Sequence, residues 1–66
     1  MRMVVTSTLI ESVIYDEDTK FLRLNLTDGQ VREFSDVPQD VVLGLTHAES
    51  PGQFYVKMIR GKYPRL

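Results

Sequence analysis

The chain contains no cysteine and no tryptophan, a single histidine, and no long apolar run. Without cysteine there is no disulfide to staple a small fold. A structural zinc needs cysteines or several histidines, and His47 stands alone, so no metal is expected. No apolar stretch approaches the roughly 20 residues that cross a bilayer. The opening Met1-Arg2-Met3-Val4-Val5-Thr6-Ser7-Thr8 has too short an apolar run for the core of a signal peptide. A cytoplasmic protein without membrane contact is the expectation. Neither G-x-x-x-x-G-K-[ST] nor G-x-G-x-x-G occurs to cradle phosphates, and no cofactor is expected.

The 66 residues make one domain, 1–66. A chain of this length buries only about 60% of the surface its unfolded form exposes. With disulfides and metal set aside, stability must come from tight packing or from a homo-oligomer.

Net charge is −1, which argues against extensive nucleic-acid binding. The distribution says more than the total. Up to Glu49 the chain holds Arg2, Lys20, Arg23 and Arg32 against all nine acids; from Ser50 onward it holds Lys57, Arg60, Lys62 and Arg65 and no acid. An acidic body thus ends in a basic segment. Two readings fit: cations complementing a helix C-terminus, or a patch that contacts phosphate.

Thr8 to Tyr15 is rich in β-branched and aromatic residues and reads as a strand. Strict alternation puts Ile10 and Ile14 on one face and Leu9, Val13 and Tyr15 on the other. Asp16-Glu17-Asp18-Thr19 is a turn. Residues 21–27 alternate cleanly, with Leu22, Leu24 and Leu26 on one side, and residues 30–35 form a third strand. Thr27-Asp28-Gly29 joins the two. A three-residue loop closed by a left-handed Gly29 sets Leu24 near Arg32 and Leu22 near Phe34. That register turns an arginine inward rather than a glutamate, and only the arginine can bury its stem and keep its head in water.

Pro38 suits the first position of a helix over 38–48, with Asp40 in its first turn and Val41, Val42, Leu45 and Ala48 as its apolar stripe. A second helix spans 51–60. Ser50 and Gln53 have capping-box spacing, with Pro51 in the first turn. Phe54 and Met58, with Tyr55 and Ile59, face the core, and Gly61 ends the helix. The fold class is α+β: a three-stranded antiparallel β-meander followed by two short helices packed on one face.

This order resembles the KTSC domain family, found at the C-terminus of some lysyl-tRNA synthetases and as stand-alone bacterial and phage proteins. The resemblance runs from about Val5 to Pro64. Its landmarks are Val5-Thr6-Ser7-Thr8, Ile10-Glu11-Ser12, Tyr15-Asp16, Asp28-Gly29, Val37-Pro38, Ala48-Glu49-Ser50, Gly52-Gln53-Phe54-Tyr55 and Ile59-Arg60-Gly61-Lys62-Tyr63-Pro64. None is specific alone; the joint spacing is. The family's third strand usually carries Tyr-x-Tyr where Arg32 and Phe34 stand here, and glycine usually precedes Tyr15 where Ile14 stands. What the resemblance implies about function is RNA binding, by analogy with the synthetase it accompanies.

No nucleophile–base pair is visible. Ser7, Thr8, Ser12 and Ser50 lack an identifiable partner, and His47 reads as a polar residue near a helix end. A non-catalytic binding module is therefore the expectation. In one form, Lys57, Arg60, Lys62 and Arg65 contact an RNA backbone while Tyr55 or Tyr63 stacks on a base. In another, the chain is a homo-oligomer that sequesters a small anionic nucleotide, as a phage sponge would, with Arg32 as an anion contact. A plain protein–protein module is the third.

Self-association has its own expected surface. Two short helices cover one face of the sheet. Leu9, Val13, Tyr15 and Phe21 would then form an apolar patch on the other, and such patches are rarely left open on soluble monomers. The alternative is that Met1 to Val5 folds back over it.

Overall fold

In the computed structural model, which describes residues 2–5 and 7–66, antiparallel strands come first and helices follow. The expected meander is present as β2 (Ile10–Asp16), β3 (Phe21–Leu26) and β4 (Val31–Phe34). A short strand not read from the sequence, β1 (Arg2–Val4), pairs antiparallel with β2 and extends the sheet to β1-β2-β3-β4.

The β3–β4 hairpin has the three-residue loop. Leu22 opposes Phe34 and Leu24 opposes Arg32. The Leu26 N–H donates to the Gln30 carbonyl at 2.8 Å, and Gly29 sits at φ 90°. That φ falls in the region that a Cβ disfavours, so glycine is what lets the loop close here.

The faces of β2 differ from strict alternation. Its register against β3 shifts between Ile10 and Ser12: Ile10 pairs with Leu26, yet Ser12 pairs with Asn25. Glu11 is thus the extra residue of a bulge, and a bulge moves every earlier side chain to the other face. Ile10 therefore joins Val13 and Tyr15 in the core beside Leu22, Leu24 and Leu26, while Ile14 points outward. The expected association patch is corrected on this ground. Val13 and Tyr15 are 0% and 1% exposed beneath the helices, and Leu9 packs against the same core. Of the four residues, only Phe21 stands on the open face, half-buried, with Ile14, Arg23 and Asn25. The described N-terminal residues 2–5 extend the sheet at its edge instead of folding back over the open face, and Met3 packs against the core. Arg2–Val4 lies at the sheet edge and Val5 enters the core; Met1 and Thr6 lie outside the described residues.

Helix α1 (Gln39–His47) starts one residue later than expected, with Pro38 as its N-cap rather than its first residue. The Pro38 carbonyl accepts from the N–H groups of Val41 and Val42. Val42 and Leu45 are buried. Helix α2 (Pro51–Phe54) is capped by Ser50, whose Oγ accepts the Gln53 N–H at 3.4 Å. It continues without a break into a π-helical turn, Tyr55–Ile59, in which the Arg60 N–H donates to the Tyr55 carbonyl. Tyr55 and Ile59 are the inward residues of this turn. Met58, expected to face the core, is 53% exposed. The buried arc is centred on Tyr55 and Ile59, which leaves Met58 on its rim, and Phe54 is half-buried. Among the described residues, no helix is long and apolar enough to cross a membrane.

Candidate functional site

Beyond the π-turn the chain reverses. Gly61, at φ 75°, ends the helix, and the Lys62 N–H donates to the Ile59 carbonyl. The tail then runs back along the free edge of β4. The Ser35 N–H donates to the Pro64 carbonyl at 3.0 Å and the Leu66 N–H to the Glu33 carbonyl at 2.9 Å, with Phe34 and Arg65 forming an antiparallel bridge. Tyr63 is half-buried against the core.

This return encloses a groove of about 570 Å³ between the end of β4, the π-turn and the tail. Phe34 and Tyr55 meet edge to face across its floor, ring centroids 6.1 Å apart. Arg32, Arg60 and Arg65 all line it, with Tyr63 beside them, and Asp28 is its one acid. Residues up to 33 positions apart in sequence thus contribute guanidinium groups to one concave site of the volume typical for small ligands.

Arg32 stands on the helix-facing side of β4, opposite Leu24, because of the three-residue loop. Its Nη1 donates to the Val31 carbonyl at 3.1 Å and its Nη2 to Gln30 Oε1. The guanidinium is therefore oriented before any ligand arrives. Asp28 is fixed as well: its Oδ1 accepts the Gln30 N–H at 2.9 Å.

Four of the six sequence-derived ligand candidates, Arg32, Tyr55, Arg60 and Tyr63, line the groove. Arg65 joins them through the tail pairing. Lys57 faces a separate shallow recess beside Ser50, Gly52 and Gln53, and Lys62 is exposed outside the groove. Asp28 and Gln30, which also line the groove, sit in the hairpin loop before β4, where strand alternation gives no signal.

The hydroxyls and the imidazole have local structural partners. Ser7 Oγ accepts from the N–H groups of Leu9 and Ile10, Ser12 Oγ accepts from Asn25 Nδ2, and His47 Nδ1 donates to the Leu43 carbonyl. Among the described residues no group of His, Asp and Glu side chains could hold a metal ion. Tyr15 donates to the Val37 carbonyl at 2.6 Å; burial, with the charges of Glu17, Asp16 and Asp40 adding to it, pushes its phenol above the usual value.

Comparison with known proteins gives three concordant likenesses. The family model of the KTSC domain matches residues 6–63. A lysine–tRNA ligase of Nostoc punctiforme is 34% identical over 56 residues, which is 85% of this chain. The match spans only 10% of that enzyme's length. The crystal structure of a KTSC domain protein from Yersinia pestis superposes with a TM-score of 0.92 at 27% identity, covering 100% of this chain and 93% of that one.

Proposed function

The chain belongs to the KTSC domain family, and from that premise we propose that it is a non-catalytic binding module whose groove takes a phosphate-bearing unit of RNA. The observation that carries this reading is the convergence of Arg32, Arg60 and Arg65 on a pocket floored by Phe34 and Tyr55. Guanidinium groups match phosphate with paired hydrogen bonds. Aromatic rings in the same pocket offer a stacking surface for a base. Three cations against one acid leave the local field positive in a chain of net charge −1. The likeness to a lysine–tRNA ligase favours RNA as the source of the phosphate. A cytoplasmic location belongs to the same reading.

A second reading, a free nucleotide held in the groove and sequestered there, is favoured by the size of the site. Lys57 and Lys62 lie outside the groove, so the cations form a pocket rather than a long stripe.

Fluorescence anisotropy with a labelled single-stranded oligoribonucleotide tests the proposal. Binding should weaken with salt at a log–log slope of about −0.7 for each phosphate engaged, so a single pocketed phosphate gives a shallow dependence. Arg32→Ala, Arg60→Ala and Arg65→Ala should each weaken it several-fold, and Lys62→Ala far less. If neither the oligoribonucleotide nor nucleoside monophosphates bind at low salt, the groove is not a phosphate site.

A further inference from the structure

The groove is not uniformly basic, and its polarity dictates how a nucleotide must lie. This inference rests on the phosphate-binding reading. Asp28, Gln30 and Arg32 follow one another along one wall, from the hairpin tip inward. Phosphate is drawn to Arg32, Arg60 and Arg65 and repelled by Asp28. The non-phosphate end of the ligand therefore faces Asp28 and Gln30.

The hydrogen-bonding pattern at that end follows from two contacts. Arginine can only donate, so the Gln30 group that meets Arg32 Nη2 must be its carbonyl oxygen. Among the described residues the Gln30 amide nitrogen makes no hydrogen bond, so this groove-lining side chain keeps a free donor. The Asp28 carboxylate is held by one bond to its Oδ1; among the described residues Oδ2 accepts none. A carboxylate offers about four acceptor positions and, when ionised, no donor. The wall thus presents a charged double acceptor beside a single donor.

We propose that this wall reads the Watson–Crick edge of guanine. Guanine alone among the four bases places two adjacent donors, N1–H and the N2 amino group, next to an acceptor, O6. Asp28 would take the two donors and the Gln30 amide nitrogen would donate to O6. Adenine turns the N1 lone pair toward the carboxylate. Cytosine does the same with N3, and uracil flanks its one N–H with two carbonyls. The ligand class is a guanosine phosphate, free or as a residue of single-stranded RNA.

Isothermal titration with GMP, AMP, CMP, UMP and ribose 5-phosphate tests this. GMP should bind about 10-fold or more tighter than the other nucleotides. Asp28→Asn keeps an acceptor for the Gln30 N–H, since Asn favours the same turn as Asp, but loses the charged double acceptor. It should remove the preference for GMP while binding of ribose 5-phosphate holds or tightens. Arg32→Ala should weaken all five probes, and GMP the most, because it also releases the Gln30 amide. Equal binding of the four nucleotides by the parent, or a GMP preference that survives Asp28→Asn, overturns the guanine assignment and leaves the phosphate site standing. No binding of any probe, ribose 5-phosphate included, overturns both. A single-stranded oligoribonucleotide with one guanine that binds tighter than GMP assigns the unit to RNA; weaker binding assigns it to the free nucleotide.

Discussion

Tyr15→Phe should destabilise the domain by about 2 kcal/mol. The Tyr15 hydroxyl donates to the Val37 carbonyl at 2.6 Å, and both residues are sealed, 1% and 0% exposed. This bond ties β2 to the turn between β4 and α1, where Asp36 takes φ 59° just before Val37. Removing the hydroxyl forfeits a hydrogen bond with a net value of about 1 kcal/mol and leaves a buried carbonyl without its donor, which costs about 1–3 kcal/mol in all. A domain of this length holds about 3–10 kcal/mol in total. Two kcal/mol is then a large fraction, and the melting midpoint should fall by about 8–16 °C. The raised phenol adds a pH signature. Its folded pKa lies above the unfolded value of 10.0, so the native state holds this proton more tightly. The associated stability is fully present below pH 10 and is lost as pH rises through the folded value. The parent should therefore lose stability above pH 10, and the Tyr15→Phe variant should lose less over the same window. Thermal melts followed by circular dichroism from pH 7 to pH 11 measure both. A midpoint within 2 °C of the parent at pH 7, or an alkaline decline of equal size in the variant, refutes the reasoning.

Ser50→Ala should cost about 0.5–1 kcal/mol, at the low end for a cap because the bond to the Gln53 N–H is long at 3.4 Å; an unchanged urea midpoint would show that the hydroxyl does not cap. Gly29→Ala should cost about 1–2 kcal/mol through backbone strain alone, since φ is 90° and nothing lies within 4 Å of the added Cβ. Gly29→Asn should cost less, and equal denaturation midpoints for the two variants would contradict a left-handed loop closure.

The meander was legible because its signals were local and mutually consistent. Leu22, Leu24 and Leu26 set one face, and Gly29 with the inward preference of Arg32 over Glu33 set the hairpin register. The second helix was legible from Ser50, Pro51 and Gln53, three residues with one mechanism. The faces of β2 were not, because the bulge at Glu11 inserts a residue with no sequence mark, and one unmarked insertion inverts the parity of all that precedes it. β1 was missed because three residues carry no measurable period. In the groove, the basic segment was visible as composition. Its convergence with Arg32 was not, because that depends on two tail hydrogen bonds and a single bridge at Phe34.

The tail pairing has a consequence for solubility. β4 is the last strand of the sheet, and an unpaired edge is a template on which other chains can add. Tyr63 to Leu66 occupy that edge and also carry one cationic wall of the groove. Guarding against aggregation and placing Arg65 are therefore one task for the same backbone. A substitution that frees the tail would expose Val31-Arg32-Glu33-Phe34 to intermolecular pairing as well as opening the pocket. Drift in this segment is thus disciplined by colloidal behaviour even where no ligand is present, and the backbone pairing that guards the edge is the same pairing that places Arg65.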